Sequence, residues 1–382
     1  METVIKKLFR IVAKLRVSLM RLLNRTLLGK HAGGLPGSVI RSLEEAAGWD
    51  SLNNHLIEIC KVSGAEVIPY HFPDAYPAYF RREKAFDKKN VYILKDVIVS
   101  PHSGMVWTPE GYIFQESVGS FQRIMGWGGV LHEPLLWVKK NRIEEALIPC
   151  PDTGYFHWLL EIMPNMLDAL EIEPEARILI SPNRQKYITD ALVALFGTKA
   201  IEERCIVSSS PQMIARLVLS ACEAFSGFVH PRHVELLRNA FQYQNKNGAS
   251  ARVLKIYISR RDSPKRVTDN ELELEEALGK IGFKIVRLER LGFGEQIGLM
   301  SQSAVIVAMH GSGLSNMIWA RRPCHVVEVF PINCYNDCFA RLALTCGYDY
   351  EMTICDKGQP GTNGRIPVSD VLCLVKQGLC GA

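Results

Sequence analysis

The sequence predicts an α/β protein of two domains preceded by a basic amphipathic helix, and three observations carry that prediction. A chain of 382 residues, 47% of them hydrophobic, can bury more than one core. From Leu147 onward, short apolar runs of strand character alternate with longer runs of helical period, the pattern of crossover units around parallel strands. The polar run QNKNGASAR at 244–252, with Gly248 and Ser250 in it, divides the alternating stretch into two blocks and reads as a hinge.

The first element is the arm VIKKLFRIVAKLRVSLMRLLNRTLLGK. Val4, Leu8, Val12, Leu15, Leu19 and Leu22 recur at helical spacing, and Lys7, Arg10, Lys14, Arg21 and Arg25 recur on another face. Residues 1–30 hold eight basic side chains and one acidic one, so the net charge of +5 resides in the arm and the rest of the chain is slightly acidic. The body therefore has no nucleic-acid footprint. The arm has no uncharged run of about 20 residues, so it reads as a helix lying on a surface rather than crossing a bilayer. The arm could contact anionic lipid on the cytoplasmic face of a membrane or could dock on the protein's own core or on a partner, and liposome binding that survives deletion of residues 1–30 would reject the lipid role. With no export signal, the 11 cysteines are expected as free thiols in a reducing compartment. Cys334, Cys338, Cys346 and Cys355 lack the paired spacing of a zinc site and read as small buried hydrophobes.

After the break HAGGLPGS, the first domain is expected over 39–240. Short strands are expected at Val91 to Leu94, Val97 to Val99, Met105 to Thr108 and Tyr112 to Gln115, with turns at Pro101 and at Pro109-Glu110-Gly111. A helix with a kink or break near Pro164 follows over GYFHWLLEIMPNMLDAL, then strand ARILI, a helix to Phe196, a strand at Cys205 to Val207, and a helix from His230 to Tyr243. The second domain, over 250–355, opens with strand VLKIYIS and continues with helix ELELEEALGKIG, strand FKIVRL, a helix from Phe293 to Gln302, strand AVIVAM, helix LSNMIWA and strand HVVEVF. Such an order implies a parallel sheet. Residues 356–382 are expected to pack on the body as a terminal segment.

Two strand ends in the second domain carry anion-binding chemistry. In AMHGSGLSN a buried strand ends at Met309, Gly311 and Gly313 allow a tight approach, and a helix starts near Leu314, where exposed backbone N–H groups suit phosphate oxygens. His310, Ser312, Leu314 and Asn316 belong to that loop; His310 could donate to a pyrophosphate or could be a structural histidine. The segment has neither the Gly-Lys-Ser/Thr ending of a P-loop nor the full dinucleotide fingerprint. In YISRRDSPKR, Arg260, Arg261 and Arg266 follow a strand directly and could fork onto phosphate oxygens or form a solvated basic loop. Glu328, inside an apolar strand, could accept from ribose hydroxyls or form an edge salt bridge.

On the first domain, His157 and Glu161 stand four residues apart on one helix face, suited to proton abstraction by one and orientation by the other. Asp168 is a backup base, and Trp158 could stack on a sugar ring. No second histidine makes this a metalloprotease helix, and no nucleophile elbow makes HGSG an esterase loop.

The blocks GYFHWLLEIMPNML, YISRRDSPKRVTDNELELEEAL, GFKIVRLERLGFGEQIGLMSQSAVIVAMHGSGLSNMIWA and HVVEVFPINCYNDCF, in this order, resemble bacterial glycosyltransferase family 61 over roughly residues 85 to 355. The resemblance implies two facing Rossmann-like domains of GT-B type and an inverting transferase that needs no metal and no cofactor beyond a nucleotide-sugar donor, UDP-linked by family analogy. It also implies a glycan or lipid-linked saccharide as acceptor, and relatives act in polysaccharide biosynthesis, capsule included. Arg260, Arg266, the loop from His310 to Asn316, and Glu328 would fall on the donor side, with His157 and Glu161 on the acceptor side. Relatives often have alanine at Ser312 and aspartate at Glu161. The alternative is a non-catalytic nucleotide-sugar or glycan binding protein, which would bind donor and form no product.

Overall fold

The computed structural model describes residues 38–380, apart from 48, 50, 51, 53, 120–141, 224–225, 242–252, 264 and 335. The basic arm and the polar 244–252 run lie outside the described residues. The chain divides into two compact units: Met1–Glu66 with Ala85–Ser226, and Val67–Lys84 with Gly227–Ala382. The division falls at Ser226–Gly227 and not in the polar run, because the helix Pro231–Ala240 belongs with the second unit. That unit also claims residues 67–84, which the sequence alone assigned to the first domain, and the whole C-terminal segment.

In chain order the strands are β1 (Ser38–Ile40), β2 (Leu56–Ser63), the paired β3 (Glu66–Pro69) and β4 (Glu83–Phe86), β5 (Lys89–Leu94), β6 (Val97–Val99), β7 (Val106–Trp107), β8 (Tyr112–Phe114), β9 (Arg142–Pro149), β10 (Arg177–Ile180), β11 (Cys205–Val207) and β12 (Gln212–Ser220). All of these but β3 and β4, which pair only with each other, lie in one ten-stranded mixed sheet along the path β1-β8-β7-β6-β12-β9-β10-β11, with β5 also on β12 and β2 on β5. One half, β12-β9-β10-β11, is parallel. The other half is largely an antiparallel meander, as the closely spaced turn residues dictate. Leu94, Val97, Val99, Phe114, Leu147, Leu179, Ile214 and Leu217 form the core shared by both halves.

The helix that follows β9, α1, is continuous and has three parts. It is α-helical over Tyr155–His157, widens to π over Trp158–Ile162, and returns to α over Met163–Ile172. Instead of the expected kink or break at Pro164, the chain takes a wider turn. A proline ring crowds the carbonyl four residues earlier and offers it no N–H, and a π turn moves that carbonyl out of the ring's way. The remaining helices are α2 (Lys186–Phe196), α3 (Ala200–Arg204), α4 (Pro231–Ala240), α5 (Glu271–Lys280), α6 (Phe293–Met300), α7 (Cys338–Thr345) and α8 (Val368–Cys380).

The second unit is built on an all-parallel five-stranded sheet of β13 (Leu254–Ile258), β14 (Lys284–Val286), β15 (Ser303–Met309), β16 (His325–Phe330) and β17 (Asp349–Ile354), in the order β14-β13-β15-β16-β17. The winding reverses between β13 and β15, so a crevice at the carboxyl ends of these two strands is the natural ligand position of such a sheet. Val307, Met309, Val327 and Val329 pack against Leu274 and Leu278 of α5 and Val371 and Val375 of α8. The 67–84 segment adds an aromatic cluster to this unit: Phe72, Tyr76 and Phe80 pack on one another, Tyr76 on Tyr350, and Phe80 on Phe330.

Candidate functional site

The carboxyl ends of β13 and β15 bring two arginines onto one glycine. A Cβ at Gly311 would collide with Arg260 Nη1, lie 3.0 Å from Arg260 Cζ and 3.5 Å from Arg266 Nη1, so only glycine leaves room for this approach. Arg266 has a left-handed backbone (φ 57°), rare for a side chain of its size and consistent with a functional constraint. It turns back to donate from Nη1 to the His310 carbonyl at 3.1 Å. Arg260 Nη2 donates to Ser263 Oγ (3.0 Å) and to the Lys265 carbonyl (3.2 Å), while its buried Nε has no partner. Among the described residues neither Arg260 nor Arg266 has a salt-bridge carboxylate. Burial, and then the positive charge of Arg266, lower the Arg260 pKa. Two guanidiniums held close with no carboxylate between them make a place suited to an anion.

The neighbouring acidic residues hold the loop and leave the pair open. Glu271, in the first turn of α5, accepts the Arg260 backbone N–H at 2.6 Å and the Tyr257 hydroxyl at 2.9 Å. Glu275 accepts from Ser259 Oγ at 2.6 Å and from Arg261 Nη1 at 3.2 Å. Arg261 is therefore paired, and the structure does not bring it to Gly311.

Beyond Gly311 the chain forms a 3-10 helix over Ser312–Trp319 and not the α-helix that its apolar residues suggested. Ser312 is exposed at the helix N-terminus, where first-turn N–H groups point outward. Leu314 and Asn316 are buried; the Leu314 N–H is spent on the Gly311 carbonyl at 2.9 Å, and Asn316 Nδ2 donates to the Gly313 carbonyl at 3.3 Å. Gly313 gives the loop close contact with the sheet, since a Cβ there would lie 3.2 Å from Ile258 Cγ2.

His310 and Glu328 take parts different from those the sequence suggested. The His310 ring is 3% exposed, stacked on Phe330 and edge-on to Phe339. Its Nδ1 meets Glu328 Oε1 at 2.5 Å, and the Tyr350 hydroxyl donates to Glu328 Oε2 at 2.7 Å. Glu328 is fully buried with both oxygens engaged, so it holds His310 and is not open to a ribose. Burial acts to lower the His310 pKa. Hydrogen bonds to Cys334 and Glu328 and the Glu328 charge outweigh it and raise the pKa to about 9. A buried imidazolium paired with the Glu328 carboxylate thus lies beneath the loop that carries Gly311.

In the first unit, the π segment carries the second feature. His157 Nδ1 and Glu161 Oε2 lie 3.2 Å apart; the His157 side chain is 42% exposed and that of Glu161 12%. Ser226 Oγ donates to Glu161 Oε1 at 2.5 Å and lies 2.8 Å from His157 Nδ1. Sequence reasoning missed Ser226, which is 65 residues or more away along the chain and has no motif around it. Asp168 is buried within α1 and has no open face, and Trp158 is buried against Tyr187 (centroids 5.4 Å), so neither is presented to a sugar. Tyr350, which fixes Glu328, comes from β17, a strand the sequence reading did not identify.

Among the described residues no group of three or more His, Cys, Asp or Glu side chains is placed to hold a metal ion, and no helix is long and apolar enough to cross a membrane.

The second unit is thus a parallel sheet whose switch point carries two arginines with no salt-bridge carboxylate among the described residues, and the first unit carries a partly exposed histidine beside a carboxylate. Residues 155–327, which contain all of these groups, Ser226 included, but not Glu328 and Tyr350, match the family model described as glycosyltransferase 61. The match supports that family assignment for these residues, and the family's description indicates a glycosyltransferase-type function. No curated protein matches the chain.

Proposed function

We propose that the protein is an inverting glycosyltransferase that moves a sugar from a nucleotide-sugar donor, UDP-linked by family analogy, to a hydroxyl of a glycan or lipid-linked saccharide. The observation that carries this reading is the convergence of Arg260 and Arg266 on Gly311 at the switch point of the second unit, with no salt-bridge carboxylate on either among the described residues. The donor's diphosphate is the anion that arrangement suits.

In the proposed reaction the acceptor oxygen attacks the anomeric carbon as the bond from that carbon to the phosphate oxygen breaks. The bonding electron pair leaves with the nucleoside diphosphate, where Arg260, Arg266 and the first-turn N–H groups of the 3-10 helix meet the growing charge. The acceptor proton passes to His157, and Glu161 stabilises the imidazolium that forms. His157 is the base of choice because it is the more exposed of the pair and both Glu161 oxygens are engaged. A single displacement from the face opposite the leaving group inverts the anomeric configuration. The reaction requires the donor to be presented to His157.

The test is transfer from a panel of nucleotide sugars to a broad acceptor panel, with His157→Ala alongside. Product from the wild-type chain, and a drop in kcat of roughly 100-fold or more in the variant at unchanged nucleotide affinity, is the expected result. Saturable donor binding with no product from any acceptor would favour the binding-protein alternative. Wild-type turnover in His157→Ala would remove His157 as the base.

A further inference from the structure

The Ser226 hydroxyl reinforces a preference that the His157–Glu161 pair sets only weakly. A histidine acting as base needs its proton on one ring nitrogen and a free lone pair on the other. The 3.2 Å contact of Nδ1 with the Glu161 carboxylate favours hydrogen on Nδ1, through a long contact from a partly exposed ring. A serine hydroxyl, however, has a single proton. The 2.5 Å contact with Glu161 Oε1 takes that proton, because an ionised carboxylate can only accept. At the 2.8 Å contact with His157 Nδ1, Ser226 Oγ is then the acceptor, and Nδ1 carries the hydrogen. The Nδ1 hydrogen is shared between Ser226 Oγ and Glu161 Oε2, and Nε2 is left with its lone pair.

Resting on the reading of His157 as the base, we infer that Ser226 is a positioning residue that fixes the Nδ1–H tautomer of His157 and makes Nε2 the proton acceptor. Ser226 touches neither donor nor acceptor in this scheme. It works through the closed triangle of Ser226, His157 and Glu161, which also holds the imidazole plane against rotation. His157 and Glu161 reach the one hydroxyl from a single helix, His157 from its α-helical first turn and Glu161 from the π segment.

The full-length chain is used for the test, with Ser226→Ala and Ser226→Thr. The tautomer is read directly by nitrogen NMR of the side chain of ¹⁵N-histidine-labelled protein, with His157→Gln assigning the signal; this needs no turnover. The wild type is expected as Nδ1–H, Ser226→Ala as a mixture with Nε2–H, and Ser226→Thr as wild type, because it keeps the hydroxyl. Wild-type His157 as Nε2–H, or a tautomer unchanged in Ser226→Ala, overturns the inference whether or not the protein transfers sugar.

With a transferable donor in hand, Ser226→Ala should lower kcat roughly tenfold, move the acid limb of the pH–rate profile to lower pH, and leave UDP affinity unchanged. Ser226→Thr should restore the rate and the profile. Equal losses in Ala and Thr, or a parallel loss of UDP affinity, would make Ser226 merely structural. Absence of transfer by the wild type counts against the glycosyltransferase reading, and the tautomer measurement still decides the part played by Ser226.

Discussion

Glu328→Gln should weaken a specific pH dependence of stability to which the buried His310–Glu328 contact contributes. In the folded chain the His310 pKa stands at about 9 against an ordinary value of 6.5. Below pH 6.5 the ring is protonated both folded and unfolded, and the stabilisation is fully present. Between pH 6.5 and about 9 the unfolded chain gives up its proton while the folded chain keeps it, so stability falls, and above that range the contribution is gone. At about 1.4 kcal/mol for each pH unit, the interval is worth about 3 kcal/mol, or roughly 6–12 °C in Tm for a unit of this size. The assay is urea denaturation of the wild type and Glu328→Gln at several pH values from 6 to 10. The wild type should lose about 3 kcal/mol across the window. The variant, less stable at pH 6 because a buried partner is lost, should show a shallower slope, since Cys334 alone is then left to oppose burial, which lowers a histidine pKa. A wild-type slope retained in Glu328→Gln would refute the assignment of the high pKa to this contact, as would NMR titration of the His310 ring near 6.5.

Two further substitutions probe the same unit. Arg260→Ala and Gly311→Ala should each weaken UDP binding roughly tenfold or more, the first by removing a guanidinium and the second by displacing it; isothermal titration reads both, and wild-type affinity in either would break the link between this loop and the diphosphate. Gly378→Ala places a Cβ into the buried His325 ring and should cost about 1–3 kcal/mol of stability in a urea melt with UDP affinity unchanged; a neutral result would mean that α8 can shift at no cost.

The second unit was the more legible part of the chain. Its strands are continuous apolar runs bounded by polar loops, and HVVEVF is a strand over the very residues its pattern indicates. In the first unit the short strands near Val97 and Tyr112 were also readable, because Pro101 and the Pro109-Glu110-Gly111 turn delimit them. The long β12, central to the same sheet, was not: QMIARLVLS interrupts its apolar residues with Arg216, whose guanidinium reaches out to Glu173 at 2.8 Å. At the sites, residue types could be read and directions could not. Arg260, Arg261 and Arg266 look alike in sequence, yet Glu275 captures Arg261, and a left-handed backbone turns Arg266 onto His310. Glu328 was conspicuous as a charge in an apolar strand, but the partners that explain it come from 18 residues before it and 22 after. Ser226 illustrates the limit: a lone serine has no pattern until folding places it beside two titratable groups.

The interleaving of the two units has a consequence for anyone who would take the molecule apart. A gene fragment encoding only 227–382 would lack Phe72, Tyr76 and Phe80, and with them the hydroxyl that Tyr76 donates to the Tyr350 carbonyl at 3.0 Å. Such a fragment would expose Phe330 and the strand that carries Tyr350, an invitation to aggregate. Chimeras that exchange the second unit between relatives therefore need three junctions rather than one, and that unit is not a cassette with a single seam.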